Sequence, residues 1–506
     1  MSTSPRVEGL LEKLEQHFGF KRFRAGQAEA VKAAIAGRDV VVVMPTGSGK
    51  SLCYQLSALE SRGTTVVVSP LIALMKDQAD NLRGRGFAVA EMNSALPTAQ
   101  LREAQALIAA GRADFVLVTP EGIADPGFRE QIRRRPVGLF VVDEAHCVSQ
   151  WGHDFRPDYL GLRDAAFDLG RPPVLALTAT ATPAVVEEIR TRLNIPEAEV
   201  VHTGFYRSNI ALSVEHTRGE GEKRAKLLEL LANTTGTTVV YCATVKAVEE
   251  LTDFFAEQEL VGAGYHGRMP AKRRAKVQAR FMAGELHLFV ATNAFGLGID
   301  KPDIRHVIHY HMPGSLEAYY QEFGRAGRDG LPARGTLLYD PDDRKLQRFF
   351  QVGRYPDDGD LVNVYHAVQR LADREAPPTL KEIQAVSPLK DGRTKVCLAL
   401  LAGQGIVENV RGGRYRLLRP GLSRQAVAAA SRSYSDKEDH DRAVLEKMVR
   451  YADGPGCRWQ ALLSYFDDDA LLAGPCHHCD NDPAVPDEKA RLEALRKSVQ
   501  ALAARG

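Results

Sequence analysis

Cysteine is scarce in this chain, with seven among 506 residues, and too scattered to form a disulfide scaffold. Cys53, Cys147, Cys242 and Cys397 stand singly in apolar runs and read as reduced, buried thiols. No stretch approaches the ~20 consecutive apolar residues that a membrane span needs. The opening residues, "MSTSPRVEGLLEKLEQHFGF", contain no long apolar core of the kind a signal peptide has. The expectation is a soluble, cytoplasmic protein with no membrane partner. A surplus of one charge is also missing. Lys and Arg number 66 against 64 Asp and Glu, so any surface for nucleic acid must be a local feature. No internal repeat or low-complexity tract is found.

What is present has the composition of a globular protein, 44% hydrophobic and 26% charged, with length for three or four domains at ~100–200 residues each. The runs "VVVVM", "TTVVVSP", "DFVLVTP", "GLFVVDEA" and "PVLALTAT" read as buried parallel strands. Each ends in small, polar or acidic residues, where ligands sit at the carboxyl edge of an open sheet. A second set, "TTVVYCAT", "LHLFVATN", "IRHVIHY" and "GTLLYD", begins near residue 237. Two doubly wound α/β domains in tandem are predicted, 1–205 and 206–350, joined around 204–210. Beyond them, "TLKEIQAV", "TKVCLALLAGQGIVENV" and "RGGRYRLLRP" read as helix, helix and basic hairpin, the order of a winged helix, over 351–422. An amphipathic helix, "DRAVLEKMVRYAD", leads into a cysteine cluster within 423–485. The tail, 486–506, repeats leucine and valine at helical spacing.

"MPTGSGKS" (44–51) follows a strand and precedes a helix, as a phosphate-binding loop must. Its glycines let backbone N–H groups turn toward phosphates, with Thr46, Gly47, Ser48 and Gly49 forming the cradle. Lys50 would reach the β- and γ-phosphates of ATP, and Ser51 would ligate Mg²⁺. Met44 stands where the strict pattern has glycine. Asp143 ends a strand, where its carboxylate completes a Mg²⁺ shell, and Glu144 beside it would orient the attacking water. Gln321, Arg325 and Arg328 in "YYQEFGRAGRDG" would reach the phosphates from the second domain, the arginines as charge-neutralising fingers.

Together these segments resemble superfamily 2 helicases, and within them the RecQ family, over about residues 10–350. The resemblance implies two RecA-like domains and ATP-dependent unwinding of DNA with 3′–5′ polarity, in repair and recombination. Single-stranded and branched duplex DNA would be the substrates, and single-strand-binding and repair proteins the partners. "FGFKRFRAGQAEAV" is similar to the adenine-reading element, with Arg24 and Gln27 on the base. "VVVSPLIALMKDQ" and "VTPE" resemble strand-contacting motifs, which include Ser69 and Pro70. "LTATAT" resembles the motif coupling hydrolysis to motion. "ATNAFGLGIDKPDIRHVIHY" resembles the motif that holds ribose and DNA, with Asp300 as the ribose contact.

"SQWGHDFRPDY" resembles the family's aromatic-rich loop, which senses single-stranded DNA and signals to the ATP site. Trp151, His153, Phe155 and Tyr159 supply rings, and Arg156 a cation, for base stacking worth ~1–3 kcal/mol per base. Gly152, Asp154 and Pro157 between the rings favour a loop over a core cluster. Because the loop leaves Asp143–Glu144 directly, moving one should disturb the other.

"CRWQALLSYFDDDALLAGPCHHCDND" resembles the family's zinc module. Cys457, Cys476 and Cys479 are three ligands, and Asp482 stands where the family has a fourth cysteine. Asp482, one of His477 and His478, or no metal at all remain open, since a carboxylate oxygen is an accepted Zn²⁺ ligand. The apparent winged helix precedes the cysteines, whereas the usual order places it after them. Arg411, Arg414 and Arg416 on its hairpin would contact duplex phosphates or form a solvated face.

Overall fold

The structure is a computed structural model and describes residues 7–482 except 150, 151, 153, 297–300, 353–355, 375, 390, 411–412, 429–431, 469 and 471–473. Trp151, His153, Asp300, Arg411 and the tail therefore lie outside the described residues.

The β-branched runs form strands because residues buried on both faces satisfy a central parallel sheet. Among the described residues the first sheet comprises β1 (Val40–Val43), β2 (Thr64–Val68), β3 (Val89–Met92), β4 (Phe115–Val118), β5 (Val137–Val142), β6 (Val174–Thr178) and β7 (Glu199–His202). Their spatial order is β3-β4-β2-β5-β6-β1-β7, and every pairing is parallel. β5 and β1 flank β6, so the loops after these three strands meet at one carboxyl edge. That edge is where an open α/β sheet binds ligands.

The second sheet comprises β8 (Ile210–His216), β9 (Thr237–Tyr241), β10 (Gly262–Tyr265), β11 (Leu288–Ala291), β12 (Ile304–His309) and β13 (Ala333–Tyr339). Its order is β10-β11-β9-β12-β13-β8, again wholly parallel. The two sheets are the pair of RecA-like units expected, and a seven-residue hinge, 203–209, joins β7 to β8.

The region after them has a core of its own. Helices Asp358–Arg370, Leu380–Val386 and Asp391–Gly403 enclose Leu361, Tyr365, Ile383, Leu398 and Leu401. The antiparallel hairpin of β14 (Val407–Val410) and β15 (Arg414–Leu417) closes against them. An isolated bridge from Thr379 to Arg414 adds a third edge to this hairpin. Thr379 also caps its helix reciprocally with Glu382.

The cysteine module does not stand apart. Tyr451, Trp459, Leu462, Leu463 and Phe466 share one core cluster with Phe205, Tyr319, Tyr320 and Phe323 of the hinge and second domain. No helix among the described residues is long and apolar enough to cross a membrane.

Candidate active site

β1 delivers residues 44–51 to the carboxyl edge, and Lys50 opens the helix Lys50–Glu60. Gly47 and Gly49 have φ of 83° and 85°, a left-handed conformation that glycine adopts without penalty. A side chain at either would also collide. A Cβ on Gly49 would stand 2.6 Å from Gln27 Nε2, and one on Gly47 2.9 Å from Arg328 Cγ.

Cations converge on this loop from both domains. Lys50 Nζ donates to the carbonyls of Met44 and Pro45 at 3.0 and 3.3 Å. Arg24 donates to the carbonyl of Gly47 at 2.5 Å. Arg328 lays its stem against Gly47, and Gly324 approaches Thr46. Burial lowers the Lys50 pKa, with Glu144 and Asp143 opposing that shift. The hydroxyls of Thr46 and Ser48 and the Nε of Arg325 are buried without a hydrogen-bond partner among the described residues. Buried polar atoms lacking partners cost ~1–3 kcal/mol each, and here they surround a loop shaped for phosphates. This donor set fits a nucleotide polyanion.

Opposite the lysine, Asp143 is buried and accepts from Ser69 Oγ at 3.3 Å and from the N–H of Glu144 at 3.1 Å. Burial raises its pKa. Glu144 has φ of 48°, strained for a residue with a side chain. Burial first, and then the neighbouring Asp143, push its carboxyl up to about 7, while Lys50 and Arg325 oppose the rise. The Ser51 hydroxyl lies 3.4 Å from Gln78 Nε2 on the same edge. Ser51 and Asp143 offer the oxygen ligands Mg²⁺ prefers.

The segment leaving Glu144 is tied to it. His146 Nδ1 lies 3.4 Å from Glu144 Oε2 and 3.0 Å from Thr178 Oγ1, which joins the acid to the "LTATAT" segment. Tyr159 donates to the carbonyl of Asp143 at 2.9 Å and is 1% exposed. This corrects the reading of Tyr159 as a stacking surface: its ring is a brace under the acid pair. Phe155 is half-buried. Arg156 pairs with Asp154 at 2.9 Å and also donates to the carbonyl of Pro70 at 3.4 Å.

Other predicted residues have structural partners. Gln27 donates to the carbonyls of Ser48 and Gly49 at 3.0 and 3.1 Å and accepts from the N–H of Arg24, so it braces the phosphate loop. Ser69 is fully buried on Asp143 rather than presented at an open surface. Gln321 and Arg325 are buried, 8% and 2% exposed, on and just beyond the helix Leu316–Phe323. Arg414 donates to the carbonyl of Pro377 at 2.7 Å, and Arg416 pairs with Glu408 at 3.3 Å. Arg414 is thus held within its own domain, while Arg416 stays exposed in a surface ion pair.

Arg207 and Asn209 were not singled out in the sequence. Arg207 donates to Thr46 at 3.1 Å, Gly324 at 3.2 Å, Ala326 at 3.0 Å and Gly327 at 2.9 Å, all carbonyls. Asn209 donates to Gly327 and Leu331 at 2.7 and 2.9 Å. A polar pair two residues apart at the entry to β8 was the available signal.

Cys457, Cys476 and Cys479 are buried, with sulfurs all within 4.8 Å of one another. Cys479 Sγ also accepts from the backbone N–H of Arg458 at 3.4 Å. Three thiols with no disulfide between them fit a thiophilic cation such as Zn²⁺. Asp482 is 2% exposed and accepts from the N–H of His477 at 2.5 Å, so its carboxylate closes the turn; against the expectation of a fourth ligand, the group of ligand atoms within 4.8 Å of one another comprises the three sulfurs and not Asp482. His478 Nδ1 lies 2.5 Å from the Cys476 carbonyl, while its Nε2 is buried without a hydrogen-bond partner among the described residues.

Comparison with known proteins agrees with this geometry. Residues 24–189 match the DEAD/DEAH box helicase family, 222–330 the helicase conserved C-terminal domain and 422–482 the RecQ zinc-binding family. Over 489 residues the chain is 36% identical to the probable ATP-dependent DNA helicase RecS of Bacillus subtilis, covering 95% of this chain and 94% of that protein. It is 41% identical over 338 residues to the ATP-dependent DNA helicase RecQ of the same organism, covering 66% of this chain and 57% of that one. The chain therefore spans little more than half the length of that RecQ. Among solved structures, Mycobacterium smegmatis helicase Lhr bound to ssDNA and AMP-PNP has a TM-score of 0.56 at 24% identity, covering 83% of this chain and 61% of Lhr. The DUF1998 helicase MrfA bound to DNA gives 0.57 at 20%, covering 85% and 61%. At such identities these two show the fold.

Proposed function

The chain belongs to the RecQ family of ATP-dependent DNA helicases, and from that premise we propose how it works and on what. ATP binds between the RecA-like domains. Thr46–Ser51 hold the phosphates, and Ser51 and Asp143 hold Mg²⁺, which would supply charge neutralisation at the transferred phosphoryl. Glu144 accepts a proton from the attacking water, while Arg325 and Arg328 stabilise charge from the second domain, with Gln321 beside them. Arg24, Gln27 and Asp300 hold the adenosine. The strand runs across both domains, with Ser69 and Pro70 lending backbone contacts and Trp151, His153, Phe155 and Arg156 lending stacking and charge. Contact is mostly to phosphate, so sequence preference is slight and salt sensitivity marked. The enzyme moves 3′–5′ on single-stranded and branched duplex DNA during repair and recombination in the cytoplasm, alongside single-strand-binding and repair proteins.

One observation carries this reading: Tyr159 donates to the carbonyl of Asp143, His146 Nδ1 stands 3.4 Å from Glu144 Oε2, and Lys50 and Arg325 act on Glu144 from the phosphate-loop side. The test is ATP hydrolysis with and without single-stranded DNA, comparing wild type with Trp151→Ala and Phe155→Ala. DNA should stimulate the wild type strongly, and the variants should bind DNA yet respond weakly. Variants that respond like the wild type would remove the loop from the coupling path.

Cys457, Cys476 and Cys479 would hold Zn²⁺ in this reading, with the Asp482 carboxylate turning in as the fourth ligand. The oxygen ligand makes the site weaker and more acid-sensitive than four thiolates. Asp482→Cys should then retain zinc at chelator concentrations that strip the wild type. Equal retention would point to His478 or to no fourth protein ligand.

A second reading is a translocase that does not part strands. It is favoured by Arg414, which the Pro377 carbonyl holds within its own domain where a strand-separating hairpin would present it. Strong DNA-stimulated hydrolysis without displacement of a forked duplex would select it.

A further inference from the structure

The hinge 203–209 carries an arginine that bridges the two halves of the site. Arg207 reaches Thr46 in the phosphate loop with one terminal nitrogen, and the same nitrogen reaches Gly324 in the arginine loop. Its other terminal nitrogen takes Ala326 and Gly327, and its Nε faces Asn209 Oδ1 at 3.3 Å. These acceptors are carbonyls and an amide, and among the described residues no carboxylate forms an ion pair with this guanidinium. Arg207 is half-buried, and a planar guanidinium whose donors all go to backbone carbonyls and an amide is held in one orientation. Arg24, Lys50, Arg325 and Arg328 surround the same loop, against Asp143 and Glu144 as its acids. That surplus of positive charge complements the polyphosphate of a nucleotide.

The arginine's own position is fixed from the opposite side by the cysteine module. Phe466 stacks on Phe205 at 4.2 Å between ring centroids, and the Asp468 carboxylate accepts from the N–H of Phe205. Trp459 Nε1 donates to the carbonyl of Ile210 at 3.0 Å, and from the second domain Tyr320 donates to that of Phe205 at 2.7 Å. Both ends of the segment 205–210 are therefore clamped, with Arg207 between them. A hinge that only needed to flex would not be so held.

We propose that Arg207 is a positioning residue for hydrolysis: with Asn209 it sets the arginine loop 324–328 against the phosphate loop, and the cysteine module holds it in place to do so. The inference rests on the ATPase reading above. Arg325 and Arg328 lie in this loop, so shifting it displaces the groups that stabilise transferred charge. Misplacement by about 1 Å costs on the order of 10²-fold in rate. Arg207 itself touches no phosphate in this assignment, so ATP affinity should change little.

The experiment uses the full chain and DNA-stimulated steady-state hydrolysis of MgATP, alongside single-stranded DNA binding and thermal unfolding. Arg207→Gln should lower kcat by on the order of 10²-fold, with KM for ATP, DNA affinity and the unfolding midpoint near wild type. Arg207→Lys keeps the charge but loses the planar fork, and should recover part of the rate. Phe466→Leu, which loosens the clamp from the module side, should lower kcat in the same direction by less. Wild-type kcat in Arg207→Gln would overturn the proposal, as would a raised KM with kcat intact, which would make Arg207 a nucleotide-binding group. If Arg207→Gln does not fold, Arg207→Lys and Phe466→Leu decide, and full kcat in both overturns it. A wild type that hydrolyses no ATP with DNA present would instead sink the helicase reading, and this inference with it.

Discussion

The carboxyl edges of the two sheets are built alike but treat their buried charge in opposite ways. In the first domain, among the described residues, Lys50 bonds to carbonyls alone, Asp143 and Glu144 are pushed toward their neutral forms, and Thr46 and Ser48 keep hydroxyls without partners. In the second, Lys223 is 3% exposed and bonds to both oxygens of Asp343 at 2.8 and 3.0 Å and to the carbonyl of Tyr310 at 3.0 Å. Asp343 also accepts from the N–H of Met312 at 2.8 Å. Charge completed by the protein itself is architecture. Charge left incomplete, beside a loop of left-handed glycines, is a site awaiting a ligand.

The strongest way to break this comparison is to remove a cation from each edge that the other edge would not miss. Arg325→Ala should lower kcat for ATP by ~10³-fold or more, the range for arginine fingers, while stability and DNA binding hold. A loss below tenfold would mean that Arg325 is packing rather than part of the incomplete set. Lys223→Met should do the reverse. Leaving Asp343 buried without its partner costs about 3–5 kcal/mol, read as a lower unfolding midpoint, with kcat per folded molecule unchanged. The double variant Lys223→Met with Asp343→Leu should regain most of that stability, since a matched apolar pair is often neutral. A fall in kcat for Lys223→Met in still-folded protein would show that the second edge also serves the reaction.

This contrast explains what was legible in the sequence. Strands were readable because Val40–Val43 is a fully buried β-branched run and Val137–Val142 an apolar one whose last four residues are buried. The phosphate loop was readable because glycine spacing is a backbone requirement, which sequence expresses directly. The partners of polar side chains were not. Tyr159 sits among aromatic and cationic residues that read as a stacking surface, yet its hydroxyl meets a carbonyl sixteen residues upstream under Asp143. Arg207 carries no motif, because a guanidinium gripping four carbonyls constrains its partners' backbones and not their identities. Ser69 read as part of a strand-contacting segment, and only the β2–β5 pairing turns its hydroxyl onto Asp143.

The smallest effect sharpens the comparison most, because it tests the incompleteness itself. Burial and Asp143 hold the Glu144 carboxyl up to about 7, with Lys50 and Arg325 pulling the other way. A base must be ionised to accept a proton from water, and a raised pKa keeps it protonated until the pH passes that value. The value of kcat/KM for ATP, which reports the free enzyme, should therefore fall about tenfold per pH unit below about 7 and level off above it. ATP gains a proton in a neighbouring range, so the residual rate of Glu144→Gln serves as the baseline: it should keep the nucleotide's contribution and lose the rest. His146, with Nδ1 3.4 Å from Glu144 Oε2, and Asp154 are further titratable groups acting on the carboxyl. His146→Asn should alter the rate yet leave a limb with the sign of a carboxylate. A wild-type profile flat down to the ordinary glutamate range would mean that the acid is already satisfied by its neighbours, and the two edges would then differ in sequence but not in kind.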